Sequence, residues 1–159
     1  MVKAIQDFYQ EQVSHCYGCG RLNEHGYQIK SYWDGEQALC IFQPQPYHLA
    51  VPGFVYGGLI ASIIDCHSTG TAAAAAYEAA GREMGTKPDF RYVTASLHVD
   101  YLRPTPIDAI LHIAAKANEI SGRKVVVSSS VIVDDVETAR GLVTVVQMPA
   151  EWLTSFNSR

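Results

Sequence analysis

Charge is what this sequence is short of. Acidic and basic side chains make up 18% of its 159 residues, and they balance to a formal net charge of −4. A nucleic-acid partner therefore gets no electrostatic support. The longest apolar stretch is broken by Asp65, His67 and several glycine, serine and threonine residues, which makes a poor membrane span. The segment Met1–Tyr9 lacks a signal-peptide apolar region, so the cytoplasm is the expected location. Four cysteines in a chain of this size suggest no disulfide framework. Cys16 and Cys19 form one C-x-x-C flanked by His15 and His25, but the second C-x-x-C usual for zinc is missing. Packing of small, soft side chains is the preferred reading, and no metal or cofactor is expected. Repeats and low-complexity linkers are also missing. Residues 1–159 are expected to form a single domain with a real core.

What the chain does have is one long apolar run. It follows a Pro52-Gly53 turn and a Gly57-Gly58 pair, and continues through Ala72–Ala76 to about Ala80. Read as a helix over 57–80, it carries two acids. Glu78 lies near the end, whereas Asp65 sits among Leu59, Ile60, Ile63 and Ile64. A helix apolar almost all round is a buried one. An ionised carboxylate there is costly unless something pairs with it or uses it.

The flanks are read by period. Val2, Ile5, Phe8, Tyr9 and Val13 predict an amphipathic N-terminal helix over 1–14. Residues 27–33 and 37–42 predict a hairpin turning at Asp34-Gly35. Beyond the helix the period changes to two. Val93, Ala95, Leu97, Val99 and Tyr101 share one face, with Thr94, Ser96, His98 and Asp100 on the other. Three more strands follow, near 109–119, 125–134 and 138–148, turning at Ser121-Gly122 and Asp134-Asp135. Two strands, a buried helix and four strands joined by short turns give an α+β fold with an antiparallel sheet wrapped around one helix.

Two parts of this pattern suggest chemistry. Backbone N–H groups at a helix N-terminus are unpaired and lie in a positive dipole field, and glycines at 57 and 58 let a carbonyl oxygen come close. That is a ready oxyanion site. Asp65 is a candidate general base, or a nucleophile forming a mixed anhydride. The plainer alternative is a core carboxylate bonded to Ser62, Ser68 or Thr69. Gly58 and Asp65 lie about 10 Å apart along a helix axis, too far to serve one carbonyl. Two antiparallel helices across a two-fold axis can supply one group each, so a homodimer is expected, either alone or as half of a tetramer built as a dimer of dimers.

Gly57-Gly58 followed by the acid at 65 resembles the hotdog-fold acyl-CoA thioesterases, especially the PaaI-like branch of the 4-hydroxybenzoyl-CoA thioesterase superfamily. Cys16-Tyr-Gly-Cys-Gly-Arg-Leu-Asn-Glu-His-Gly26, the strand Val93–Pro104 and the turn Gly122-Arg123-Lys124 are similar to segments of that branch. The resemblance spans about residues 16–148. It implies hydrolysis of an acyl-CoA at a dimer interface, with Thr94 or, as in another branch, Thr69 holding the water. Two positions depart from the pattern: Tyr56 stands where the family usually has His, and Ala50 where many members have Asn or Gln. Tyr56 is placed at the thioester or the acyl pocket. Arg103, Arg123, Lys124 and His48 are placed with coenzyme A and acyl binding. Alternatives are a hotdog hydratase or dehydratase, for which His48 is the only upstream histidine candidate, and a non-catalytic acyl-CoA-binding protein.

Overall fold

The computed structural model describes residues 2–155. Its strands are β1 (Tyr32–Trp33), β2 (Ala38–Phe42), β3 (Tyr92–Tyr101), β4 (Leu111–Ser121), β5 (Lys124–Val133) and β6 (Val136–Gln147). They form one antiparallel sheet in the order β1-β2-β4-β5-β6-β3. The long helix α1 (Gly57–Ala79) packs against β2, β3, β4, β5 and β6, and a short helix α2 (Ala150–Ser155) follows the sheet. Leu59, Ile63 and Ile64 of α1 meet Val127, Val131 and Val143 in the core, all fully buried. From Gly70 to Tyr77 every residue of α1 is buried, so the helix has no solvent face there. The alanines in that run keep its girth small enough for enclosure.

Local chemistry sets the helix ends and the hairpins. At the C-terminus Gly81 adopts φ +62°, its N–H donates to Glu78 C=O and the Arg82 N–H to Tyr77 C=O, a Schellman ending. Asp134 and Asp135, both at positive φ, form the two-residue turn between β5 and β6. No described helix is long and apolar enough to cross a membrane.

Two sequence expectations fail. The amphipathic helix over 1–14 is replaced by two short 3-10 turns, Ile5–Phe8 and Glu11–Val13, with Tyr9 and Gln10 extended between them. Tertiary polar contacts outcompete the helix ladder. Buried Gln6 accepts from the Ser31 N–H and donates to the Ser31 hydroxyl, while Gln10 donates to Asp89. The strand over 27–33 shrinks to β1, because Gln28 takes φ +51° and the Tyr27 and Ile29 N–H groups pair with Tyr17 and Gly18 instead.

His67 links this N-terminal segment to the helix. Its Nδ1 accepts from the Ser31 hydroxyl, and its Nε2–H donates to Ala38 C=O. Burial pushes its pKa down from 6.5 to about 4, against a smaller upward pull from the Ala38 carbonyl. Between those values the unfolded chain binds a proton that the folded chain does not, so stability falls as pH falls through the window. Urea unfolding at pH 7 and pH 5 is expected to show about 2 kcal/mol more loss in the native protein than in His67→Gln. Equal losses would contradict this.

Candidate active site

α1 begins where the preceding loop is tied down. The Val55 N–H donates to Thr105 C=O at 2.8 Å and the Tyr56 N–H to His48 C=O at 2.9 Å. Tyr56 is the N-cap residue and makes no side-chain cap. The Leu59 N–H turns back to Tyr56 C=O at 3.1 Å, but the Gly57 and Gly58 N–H groups have no protein acceptor among the described residues. The carbonyls of those two glycines are occupied, Gly57 by the Tyr101 hydroxyl and Gly58 by the Ser62 hydroxyl, each at 2.8 Å. The Tyr56 ring folds over Gly58, where a β-carbon would lie 2.2 Å from its hydroxyl end. A side chain at this position would have to displace the exposed Tyr56 ring. Gly57 opens onto a pocket of about 470 Å³ lined also by Ile60, Tyr101 and Arg103.

Two turns further along α1, half-buried Asp65 accepts a hydrogen bond on Oδ1 from the Thr94 hydroxyl of β3. Its Oδ2 has no protein partner among the described residues. The neighbouring hydroxyls of α1 are used elsewhere. Ser62 bonds to the Gly58 carbonyl, Ser68 to Ser129, and Thr69 to the Cys66 carbonyl at 3.0 Å. Asp65 is therefore not a core carboxylate satisfied within its own helix.

Thr94 reaches Asp65 because of a β-bulge. Thr94 pairs with Val145 and Ser96 with Thr144, leaving Ala95 as an extra residue. Before the bulge the even positions Tyr92 and Thr94 face the helix. After it the odd positions Val99 and Tyr101 do, opposite Gly141 and Ala139. The strict alternation in the sequence put Thr94 on the face opposite Tyr101, and the inserted residue reverses that phase. Tyr101, read only as an apolar-face residue, also contacts the helix start.

The remaining candidates are dispersed. His48 lies in a pocket of about 360 Å³ with Tyr27, Phe42, Tyr47 and Tyr56. Its Nδ1 accepts from the Gln45 N–H, and desolvation lowers its pKa. It makes no contact with Asp65 among the described residues. Arg123 donates to Gln147 C=O and Lys124 pairs with Glu119 at 3.5 Å, both exposed. Lys124 and Val93 both pair with Val146, so this turn lies near Thr94. Arg103 lies beyond the other end of β3, about 30 Å away at strand rise. One chain thus does not gather its three basic candidates.

The family model described as "Thioesterase superfamily" matches residues 52–139, which hold both Gly57-Gly58 and the Asp65–Thr94 pair. The chain belongs to this superfamily. A solved thioesterase superfamily protein from Shewanella loihica is 45% identical, with a TM-score of 0.65 over 89% of this chain and 100% of that one. Among curated proteins, the acyl-coenzyme A thioesterase THEM4 of Xenopus laevis is 41% identical over 93 residues, 58% of this chain and 36% of its own length. The mouse THEM4 is 29% identical over 143 residues, 81% of this chain and 56% of its own length. The chain therefore spans between about a third and just over half of these curated relatives. The wrapped sheet and central helix are the hotdog fold of thioesterases.

Close approach of β6 holds the Asp65 turn in place, since a β-carbon on Gly141 would lie 2.4 Å from Ile64 Cγ2. Gly141→Ala is expected to displace buried Ile64 and cost about 1–3 kcal/mol in chemical denaturation. An unchanged midpoint would show that the contact relaxes freely.

Proposed function

We propose that this chain is an acyl-CoA thioesterase, hydrolysing the thioester to a free acid and coenzyme A. The observation that carries the reading is the Asp65 carboxylate, held half-buried on an apolar helix with Thr94 as its partner. An acid so placed has one oxygen fixed by a hydroxyl donor and the other left for a proton or a carbonyl carbon. As general base, Oδ2 takes the proton of a water whose position the Thr94 oxygen fixes, and that water attacks the thioester carbonyl. As nucleophile, the same oxygen attacks directly, and water then cleaves the mixed anhydride. In both routes the carbonyl oxygen gains negative charge, and the unpaired Gly57 and Gly58 N–H groups are suited to receive it. The leaving thiolate needs little assistance, since thiols ionise near pH 8.5.

On this reading the groups come from two subunits, which the spacing of Gly58 and Asp65 along one helix supports. β3 supports that reading: it is a ten-residue edge strand, and Val93, Leu97, Tyr101 and Leu102 on or just beyond it are exposed. A long apolar edge invites pairing with another chain. In an antiparallel homodimer, the Gly57 pocket with Arg103 from one subunit meets Asp65, Thr94, Arg123 and Lys124 from the other. The dispersed basic residues would then flank one coenzyme A. Tyr56 and His48 line the adjoining aromatic pocket, which is assigned to the substrate. The PaaI-like branch and a cytoplasmic setting, where the thiols stay reduced, belong to the same proposal.

Release of free thiol from short, long and aromatic acyl-CoAs tests the reading. Asp65→Asn is expected to lower turnover roughly 10²–10⁴-fold and Thr94→Val roughly tenfold or more, with Thr69→Val near the native rate. An Asp65→Asn protein with undiminished turnover would overturn the assignment.

A further inference from the structure

The sequence placed Cys16 and Cys19 in a C-x-x-C without a second pair. The fold supplies a third sulfur from elsewhere. Cys66 of α1 points into the loop, and the Sγ atoms of Cys16, Cys19 and Cys66 all lie within 4.8 Å of one another. The Cys16–Cys66 separation is 3.7 Å. Zinc–thiolate bonds of about 2.3 Å at tetrahedral angles would set the sulfurs about 3.8 Å apart. His15 and His25 flank the pair in sequence but are not part of this cluster.

The loop is shaped around the sulfurs. The Gly20 N–H donates to Cys16 C=O at 2.8 Å, closing the turn that carries both cysteines of the pair. A β-carbon on Gly18 would lie 2.3 Å from Cys66 Sγ, and one on Gly20 would lie 2.5 Å from the Cys16 backbone. Each glycine therefore makes room for a sulfur or for the turn that aims one. Arg91, whose guanidinium lies 3.5 Å over the Tyr9 ring, adds positive charge beside Cys19.

We propose that Cys16, Cys19 and Cys66 form a binding site for a thiophilic divalent cation of the zinc type, with its fourth position open to solvent beside exposed Cys16. Each sulfur–metal bond replaces a sulfur–hydrogen bond, the displaced protons pass to solvent, and no electron changes hands. Cys66 follows Asp65 directly but is turned about 100° around the helix, so the metal faces the N-terminal loop rather than Thr94. The metal would clamp that loop to α1 at the turn that positions Asp65.

Cobalt(II) titration of the reduced full chain reads this directly. The expected result is one cobalt per chain with a sulfur-to-cobalt charge-transfer band in the near ultraviolet, abolished by an equivalent of zinc. Cys40→Ala, outside the cluster, should keep the band; Cys16→Ser and Cys66→Ser should lose it. Far-ultraviolet circular dichroism reports folding, and exposed Cys16→Ser decides the matter if Cys66→Ser unfolds. Absence of the band, its persistence in folded Cys16→Ser, or spontaneous pairing of these thiols into a disulfide on purification would overturn the proposal.

Discussion

The structure turns on the Asp65–Thr94 hydrogen bond inside an otherwise apolar packing of helix on sheet. A carboxylate at that depth is tolerated because a hydroxyl meets it, a contact worth about 1.5–3 kcal/mol when one partner is charged. The hydroxyl arrives only because Ala95 is an extra residue in β3. Without the bulge, either Thr94 or Tyr101 would point away from α1. With it, one strand touches the helix at two places, the carboxylate through Thr94 and the Gly57 carbonyl through Tyr101. The strand thereby holds the Asp65 turn and the start of α1 with a single irregularity.

The helix itself explains why the sheet must wrap. Its buried residues surround the axis, so no single sheet face could cover it. Small residues let the layers close up: Gly141 admits Ile64, Gly18 admits Cys66, and the alanine run keeps the second half of α1 narrow. The N-terminal loop completes the enclosure through Ser31, Gln6 and His67, a polar chain with its donors and acceptors matched.

Much of this was legible in the residues. The bounds of α1, the four later strands and the Asp134-Asp135 turn follow from period and turn chemistry, the β4–β5 turn falls at Gly122-Arg123, one residue past Ser121-Gly122, and Asp65 was visible as an acid in the wrong company. The failures share a cause, which is that tertiary contacts leave little trace in local pattern. Val2, Ile5, Phe8, Tyr9 and Val13 have helical spacing, yet Val2 is 75% exposed and the chain straightens at Tyr9, because Gln6 bonds to Ser31 and Gln10 to Asp89. The bulge at Ala95 is silent because alanine fits either face. Cys66 joins Cys16 across fifty positions, and no spacing rule reaches that far.

The central claim is that an active site takes Asp65 from one subunit and Gly57-Gly58 from another. Subunit complementation tests it most directly. Asp65→Asn and Gly58→Val proteins, each inactive alone, are unfolded together, refolded and assayed for thiol release. Mixed dimers carry one intact site each, so the account predicts recovery of about a quarter of native activity. A mixture no more active than the sum of its parts, in a sample shown to contain mixed dimers, would contradict it.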